Sequence, residues 1–161
     1  MASSLGIELK ELDKWYCCGV VHNLAVDNEV YCLASARNLS KTQVMSRELD
    51  LPQKLVTICP MCYSTLKLVN TSLKSNPEKI SKVNKFMDTE EPYSGEIEVV
   101  HLLELFKEFL KNKSIEKHVN RSLNGIKVAC YYGCMLLRPK EISISDPSNP
   151  EIIERIISSI G

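Results

Sequence analysis

The sequence predicts an α/β fold with a mainly parallel sheet flanked by helices. Two observations point to it. Short β-branched runs, "KLVTI" (54–58) and "IKVAC" (126–130), alternate with longer stretches of helical apolar spacing. Prolines, asparagines and glycines mark the boundaries between them.

The elements follow in order. "IELKEL" (7–12) reads as a short strand and "DKWYCCGVVH" (13–22) as a loop. Asp27 suits the N-cap of a long helix running to about Glu48, with Val30, Cys32, Ala34 and Leu39 among its apolar positions. Pro52 ends it, because proline lacks the amide N–H that a helix interior needs. "KLVTI" then reads as a buried strand. Helices are expected from about Pro60 to Leu73 and from "NPEKI" to Phe86, followed by a polar connector over 88–96. "IEVVHL" begins as a strand and passes into a helix near "LLELFKEFLK". "SIEKHVNRSL" reads as a helical piece ended by Asn124-Gly125, "IKVAC" as a strand with Cys130 as a core residue, and "NPEIIERIISSIG" as a last helix. Ser3-Ser4-Leu5-Gly6 and Ser158-Ser159-Ile160-Gly161 match at three of four positions, a short repeat signal at the two ends.

Composition narrows the function. The chain has 161 residues, 44% of them apolar, which is enough for a core. Twenty basic residues balance twenty acidic ones. No basic excess draws the chain to nucleic acid or anionic lipid. No apolar run approaches the roughly 18 residues of a membrane span. "MASSLGIELKELDKW" lacks the basic and apolar regions of a secretory signal, so a cytoplasmic protein without membrane insertion is expected. No glycine-rich phosphate loop is present, which argues against nucleotide or flavin binding by this chain.

Seven cysteines stand out. A reducing compartment disfavours structural disulfides, and an odd number cannot pair fully. Cys32 and Cys130 read as small buried apolar residues. Cys59 falls at the end of a strand and Cys62 in the first turn of a helix whose first position suits Pro60. The positive helix N-terminus favours thiolates there. Cys17 and Cys18 are adjacent. Structural zinc prefers cysteines two to four residues apart, whereas neighbouring sulfurs suit several metals close together. Gly19 leaves room for the backbone to approach a bulky group. In a parallel sheet both loops follow strands and lie at the same edge. Cys17, Cys18, Cys59 and Cys62 therefore read as thiolate ligands of an iron–sulfur cluster, with a zinc site as the main competitor and a reactive vicinal disulfide as the third reading.

The pattern "CCG", then 39 residues, then "CPMC" resembles the cysteine-rich CCG-domain family, that of the heterodisulfide reductase B-subunit and related bacterial redox proteins. "VACYYGCMLLRP" (128–139) resembles the opening of the family's second repeat. The resemblance implies a two-repeat architecture, with 1–125 as a first CCG domain lacking its N-terminal strand and cysteine, and 126–161 as the start of a second. It implies a 4Fe–4S-type cluster, cubane or non-cubane, at Cys17, Cys18, Cys59 and Cys62, and Cys134 as the early metal ligand of a second site. The implied function is that of an oxidoreductase component passing electrons to a disulfide or related organic substrate. Its implied partners are a ferredoxin-like iron–sulfur subunit and a flavoprotein subunit. The competing function is a zinc-binding, non-catalytic structural or subunit-docking module.

Other residues have weaker claims. His22 follows the Cys-Cys-Gly and is either an acid beside the cluster or a loop histidine with a local partner. His101 sits at a strand end, near the site edge or in the core, and His118 fits a solvated helix face. Arg138 offers charge to an anionic group or to an acidic neighbour, and "KSNPEKISKVNK" fits a solvated helix face.

Overall fold

The computed structural model describes residues 2–19, 28–88, 90–112 and 118–161. His22 and Asp27 lie outside the described residues, as do the positions 113–117 of the expected helical piece. Contacts divide the chain into two compact units, 12–101 and 2–11 with 102–161. The repeat boundary expected at 125/126 concerns sequence repeats, and the contact units divide the chain at other points.

The first unit is built on helix α1 (Glu29–Glu48), strand β1 (Lys54–Thr57), helix α2 (Pro60–Ser75), helix α3 (Pro77–Phe86) and strand β2 (Glu98–His101). The two strands pair in parallel, Lys54 opposite Glu98 and Thr57 opposite His101, with α2 and α3 as the crossover. Lys54 and Glu98 reinforce that register through an ion pair of 3.1 Å. The fold class is thus α/β with a two-stranded parallel sheet among the described residues.

Local chemistry sets the helix ends. Asn28 caps α1, its side-chain oxygen accepting from the Val30 amide at 2.9 Å. Pro60 and Pro77 occupy first-turn positions, where no amide hydrogen is needed. Asn76 ends α2 and caps α3 by accepting from the Lys79 amide at 3.0 Å. Leu39 of α1, Tyr63, Leu66, Val69 and Leu73 of α2, and Val83 of α3 are buried with Tyr93, Ile97, Val99 and Val100. Alongside them α1 buries Ser35, Asn38, Ser40, Thr42, Gln43 and Ser46.

The second unit contains α4 (Leu102–Asn112) and α5 (Ile152–Ser158), which pack on each other. A single 3₁₀ turn, Ser3–Leu5, closes on Gly6, whose φ of 73° is the left-handed conformation that glycine adopts without strain. Tyr132, Leu136, Ile142, Ile144 and Ile152 form the buried cluster of this unit.

Several expectations are corrected. Residues 7–12 and 126–130 are not strands. Ile126 is 61% exposed and Val128 49%, and neither segment has a ladder partner among the described residues. Strand propensity reflects packing on a pleated surface, and without a neighbour it does not organise the backbone. β1 is half-buried instead of buried, and Ile58 beyond it is 73% exposed. Val30 is exposed in the first turn of α1. Cys130 is half-buried near Glu154, not part of the apolar cluster. The described part of 114–123 is not α-helical, and His118 is exposed, edge-on to the Phe109 ring.

Tyr93 joins the parts of the first unit. Its hydroxyl donates to Asn70 Oδ1 at 2.6 Å and accepts from the Ile97 amide at 3.2 Å, while Asn70 Nδ2 donates to the Ile97 carbonyl at 2.7 Å. Tyr93→Phe strands a buried carbonyl and a buried amide. It is expected to lower unfolding free energy by about 1–3 kcal/mol, read by denaturant titration.

Candidate metal centre

Two loops build the site. The first, 13–19, has no regular structure and is fixed against α1. The Tyr16 amide donates to Asn38 Oδ1 and Asn38 Nδ2 donates to the Tyr16 carbonyl, both at 2.8 Å. Lys41 Nζ donates to the Lys14 carbonyl at 2.8 Å and lies 4.1 Å from the centre of the Tyr16 ring. The Arg37 guanidinium lies 5.5 Å from the same centre. Next along the chain Cys17 is exposed and Cys18 is buried, at 4% exposure. Gly19 has φ 81°, so it also meets a backbone requirement that a side chain would strain.

The second loop joins β1 to α2. Cys59 occupies the N-cap of α2 in extended conformation and is exposed; Cys62, one turn later, is half-buried. His101, buried at the end of β2, places Nε2 3.1 Å from the Ile58 carbonyl oxygen and its ring edge-on to Tyr63. The strand end next to Cys59 is thereby tied to the neighbouring strand.

The loops meet through sulfur. Cys18 Sγ donates to Cys62 Sγ at 3.1 Å, and the thiols of Cys59 and Cys62 also interact. The structure thus brings Cys18, Cys59 and Cys62 together, with Cys17 next in sequence on the exposed side. Burial pushes the Cys62 thiol strongly upward, and the neighbouring Cys18 and Cys59 push it the same way. Cys59 is held below the ordinary thiol range chiefly by the backbone of Cys62, against the opposing effect of partial burial. The Cys62 side chain and the Met61 backbone lower it further.

A contact of 3.1 Å is not a disulfide, and none of the seven cysteines forms one. It is also shorter than the roughly 3.8 Å separating two thiolates on a tetrahedral zinc with bonds of about 2.3 Å. Among the described residues no group of three metal-ligating side chains is already in holding geometry. The sulfurs would move apart to admit an ion between them. The donor set suits such an ion: it is thiol-only, lies at a helix N-terminus, and has one thiol biased toward ionisation. Soft thiolates of this kind fit iron–sulfur clusters or zinc.

Cys134 is exposed in the other compact unit, where its carbonyl accepts from the Leu137 and Arg138 amides. Arg138 is exposed. Cys32 is buried in α1, as expected. The sequence reading missed Asn38. A signal for it was available: α1 carries too few apolar side chains for one face, so some of its polar ones had to be buried and paired.

Comparison with known proteins agrees with the thiol pattern. Residues 2–67 match the cysteine-rich domain family CCG. The whole chain is 30% identical over 163 aligned residues to the 8-methylmenaquinol:fumarate reductase membrane anchor subunit of Wolinella succinogenes, covering 54% of that protein. It is 29% identical to a heterodisulfide reductase B-subunit-like protein of Archaeoglobus profundus, with 98% of this chain and 52% of that protein aligned. It is 28% identical to the B-subunit of the ferredoxin:CoB-CoM heterodisulfide reductase of Methanosarcina mazei, with 98% and 51% aligned. The chain spans about half the length of the curated relatives it matches. No helix among the described residues is long and apolar enough to cross a membrane.

The shifted thiols make a measurable order. In metal-free, reduced protein, alkylation of Cys59 should reach its plateau below the pH of an ordinary thiol, since only the thiolate reacts. Cys62 should still be gaining reactivity at the highest pH tested, because its ionisation is pushed upward. Site-resolved mass spectrometry across pH 6–10 checks this, and equal profiles would contradict the geometry.

Proposed function

We propose, on the premise that residues 2–67 are a cysteine-rich CCG domain, that this chain is the cluster-bearing part of a redox subunit in a multi-subunit oxidoreductase. Relatives named as subunits of heterodisulfide and fumarate reductases support the redox class. The observation that carries the cofactor is the approach of Cys18 to Cys62 at 3.1 Å, which joins the Cys-Cys-Gly loop to the C-x-x-C loop across 44 residues.

Cys17, Cys18, Cys59 and Cys62 would hold a 4Fe–4S-type cluster, cubane or non-cubane. Such a cluster, when bound, supplies one-electron transfer. The chain's own contribution is positional. α1 fixes the first cysteine pair through Tyr16, the β1 end and α2 N-terminus fix the second, and Cys59 offers the readiest thiolate. Cys134 would serve a second site. The electrons would come from a ferredoxin-like iron–sulfur or flavoprotein subunit in the cytoplasm. They would reach a disulfide, two electrons and two protons giving two thiols; in a related organic oxidation the electrons would run the other way, from the substrate through the cluster to the partner subunit. The competing reading is a zinc-bearing docking module.

Anaerobic reconstitution separates the two. The protein should bind iron and acid-labile sulfide with visible-range absorbance that bleaches in air. Cys18→Ser and Cys62→Ser should each lose most of the bound iron, and Cys32→Ser should retain it. Tight zinc occupancy with no visible-range absorbance, or equal metal content in all three variants, would overturn the cluster reading.

A further inference from the structure

Asn38 has an unusual position. It lies in the middle of α1, where asparagine is a poor helix former, and it is only 5% exposed. A buried amide is costly unless each end is paired. Both ends are spent on one residue: Oδ1 accepts the Tyr16 amide and Nδ2 donates to the Tyr16 carbonyl, each at 2.8 Å. The amide acts as one rung of a ladder, replacing the strand that residues 13–19 lack. That orientation is the only one that satisfies both groups, because an amide turned over would set donor against donor and acceptor against acceptor.

Tyr16 immediately precedes Cys17 and Cys18. Fixing its amide and carbonyl fixes the peptide plane on either side of its α-carbon, and so the direction in which the chain enters the cysteine pair. The result is that Cys18 points inward to Cys62 while Cys17 stays outward. Arg37 and Lys41, one residue before and three after Asn38 on α1, cover the Tyr16 ring and keep it on the helix. The Thr42 hydroxyl donates to the Asn38 carbonyl at 2.8 Å, a further tie within α1.

We infer that Asn38 is a positioning residue for the vicinal cysteines: its side chain sets the angle at which Cys17 and Cys18 are presented to Cys59 and Cys62. It touches neither sulfur and acts through the Tyr16 backbone. This rests on the reading of the four thiols as ligands of one site.

The test uses the full chain, unaltered and as Asn38→Ala and Asn38→Asp. Aspartate keeps the shape and accepts from the Tyr16 amide, but sets an oxygen against the Tyr16 carbonyl. In reduced, metal-free protein, iodoacetamide labelling of Cys18 should rise about tenfold in both variants, as expected for losing a buried tie of this kind. Labelling of Cys32 should stay unchanged. With cobalt(II) as the probe, the thiolate-to-metal band per bound cobalt should fall to about half, since two of four thiolates are withdrawn. A purely structural asparagine would lower the melting temperature and leave the band per cobalt intact; that result overturns the inference, as does a rise at Cys18 matched at Cys32. If neither variant folds, hydrogen exchange in the unaltered protein decides. A Tyr16 amide protected about tenfold or more over Cys17 supports the role, and an unprotected one overturns it. Unaltered protein that takes up zinc and no iron would defeat the cluster reading, while the Cys18 labelling contrast would still report on Asn38.

Discussion

The buried polar face of α1 is the constraint on which the first unit depends. A helix that buries six hydroxyl and amide side chains must pair them or lose stability. Here most pairs run to backbone that has no sheet or helix of its own. Asn38 takes residue 16, Gln43 takes the Pro92 carbonyl and the Ser94 amide, and the hydroxyls of Ser40 and Ser46 take the Glu91 and Pro52 carbonyls. α1 therefore acts as a hub for loops. Its apolar contribution, mainly Leu39, Ala36 and Cys32, is small beside that role.

The same device recurs on α3. Asn84 pairs with both the amide and the carbonyl of Tyr93, at 3.0 and 3.1 Å, as Asn38 does with Tyr16. In each case a helical asparagine supplies a single ladder rung to the backbone of a tyrosine in a connecting segment. A sheet of two short strands cannot order much chain by itself. Side-chain rungs extend its reach. The two halves of the thiol site are consequently held by different elements: the Cys-Cys-Gly loop by α1, and the C-x-x-C loop by β2 through His101 and the Ile58 carbonyl.

This division explains what was legible in the sequence. Helices with prolines or asparagines at their starts, such as Pro60–Ser75 and Pro77–Phe86, were placed closely because capping chemistry is local. The step from "EVVH" into "LLELFKEFLK" was legible from the change of apolar spacing, from a β-branched run to helical periodicity. The C-x-x-C at a helix start was legible in the motif; its convergence with Cys18 was expected from two strands at one sheet edge, whereas residues 7–12 form no strand and the first loop is held by α1 instead. The strands expected at 7–12 and 126–130 failed because a strand is a relation between segments, and β-branched residues do not specify a partner. Asn38 was missed because its partners are backbone atoms, which carry no residue signature, at a separation of 22 residues.

The electrostatics of the thiols supply the last link between fold and function. Burial and the neighbouring Cys18 and Cys59 oppose ionisation of Cys62. Thiol–thiol hydrogen bonds link Cys62 to Cys18 and Cys59, the Cys18–Cys62 contact at 3.1 Å. A soft cation placed among the sulfurs reverses both causes at once: it replaces water as the partner of the buried charge and turns mutual repulsion into shared attraction. Cys59, exposed and already biased toward thiolate at the start of α2, is the natural point of first attachment. On the proposed reading, the two loops bring together thiols whose ionisation a bound soft metal would favour, which is the physical basis for expecting a metal centre where they meet.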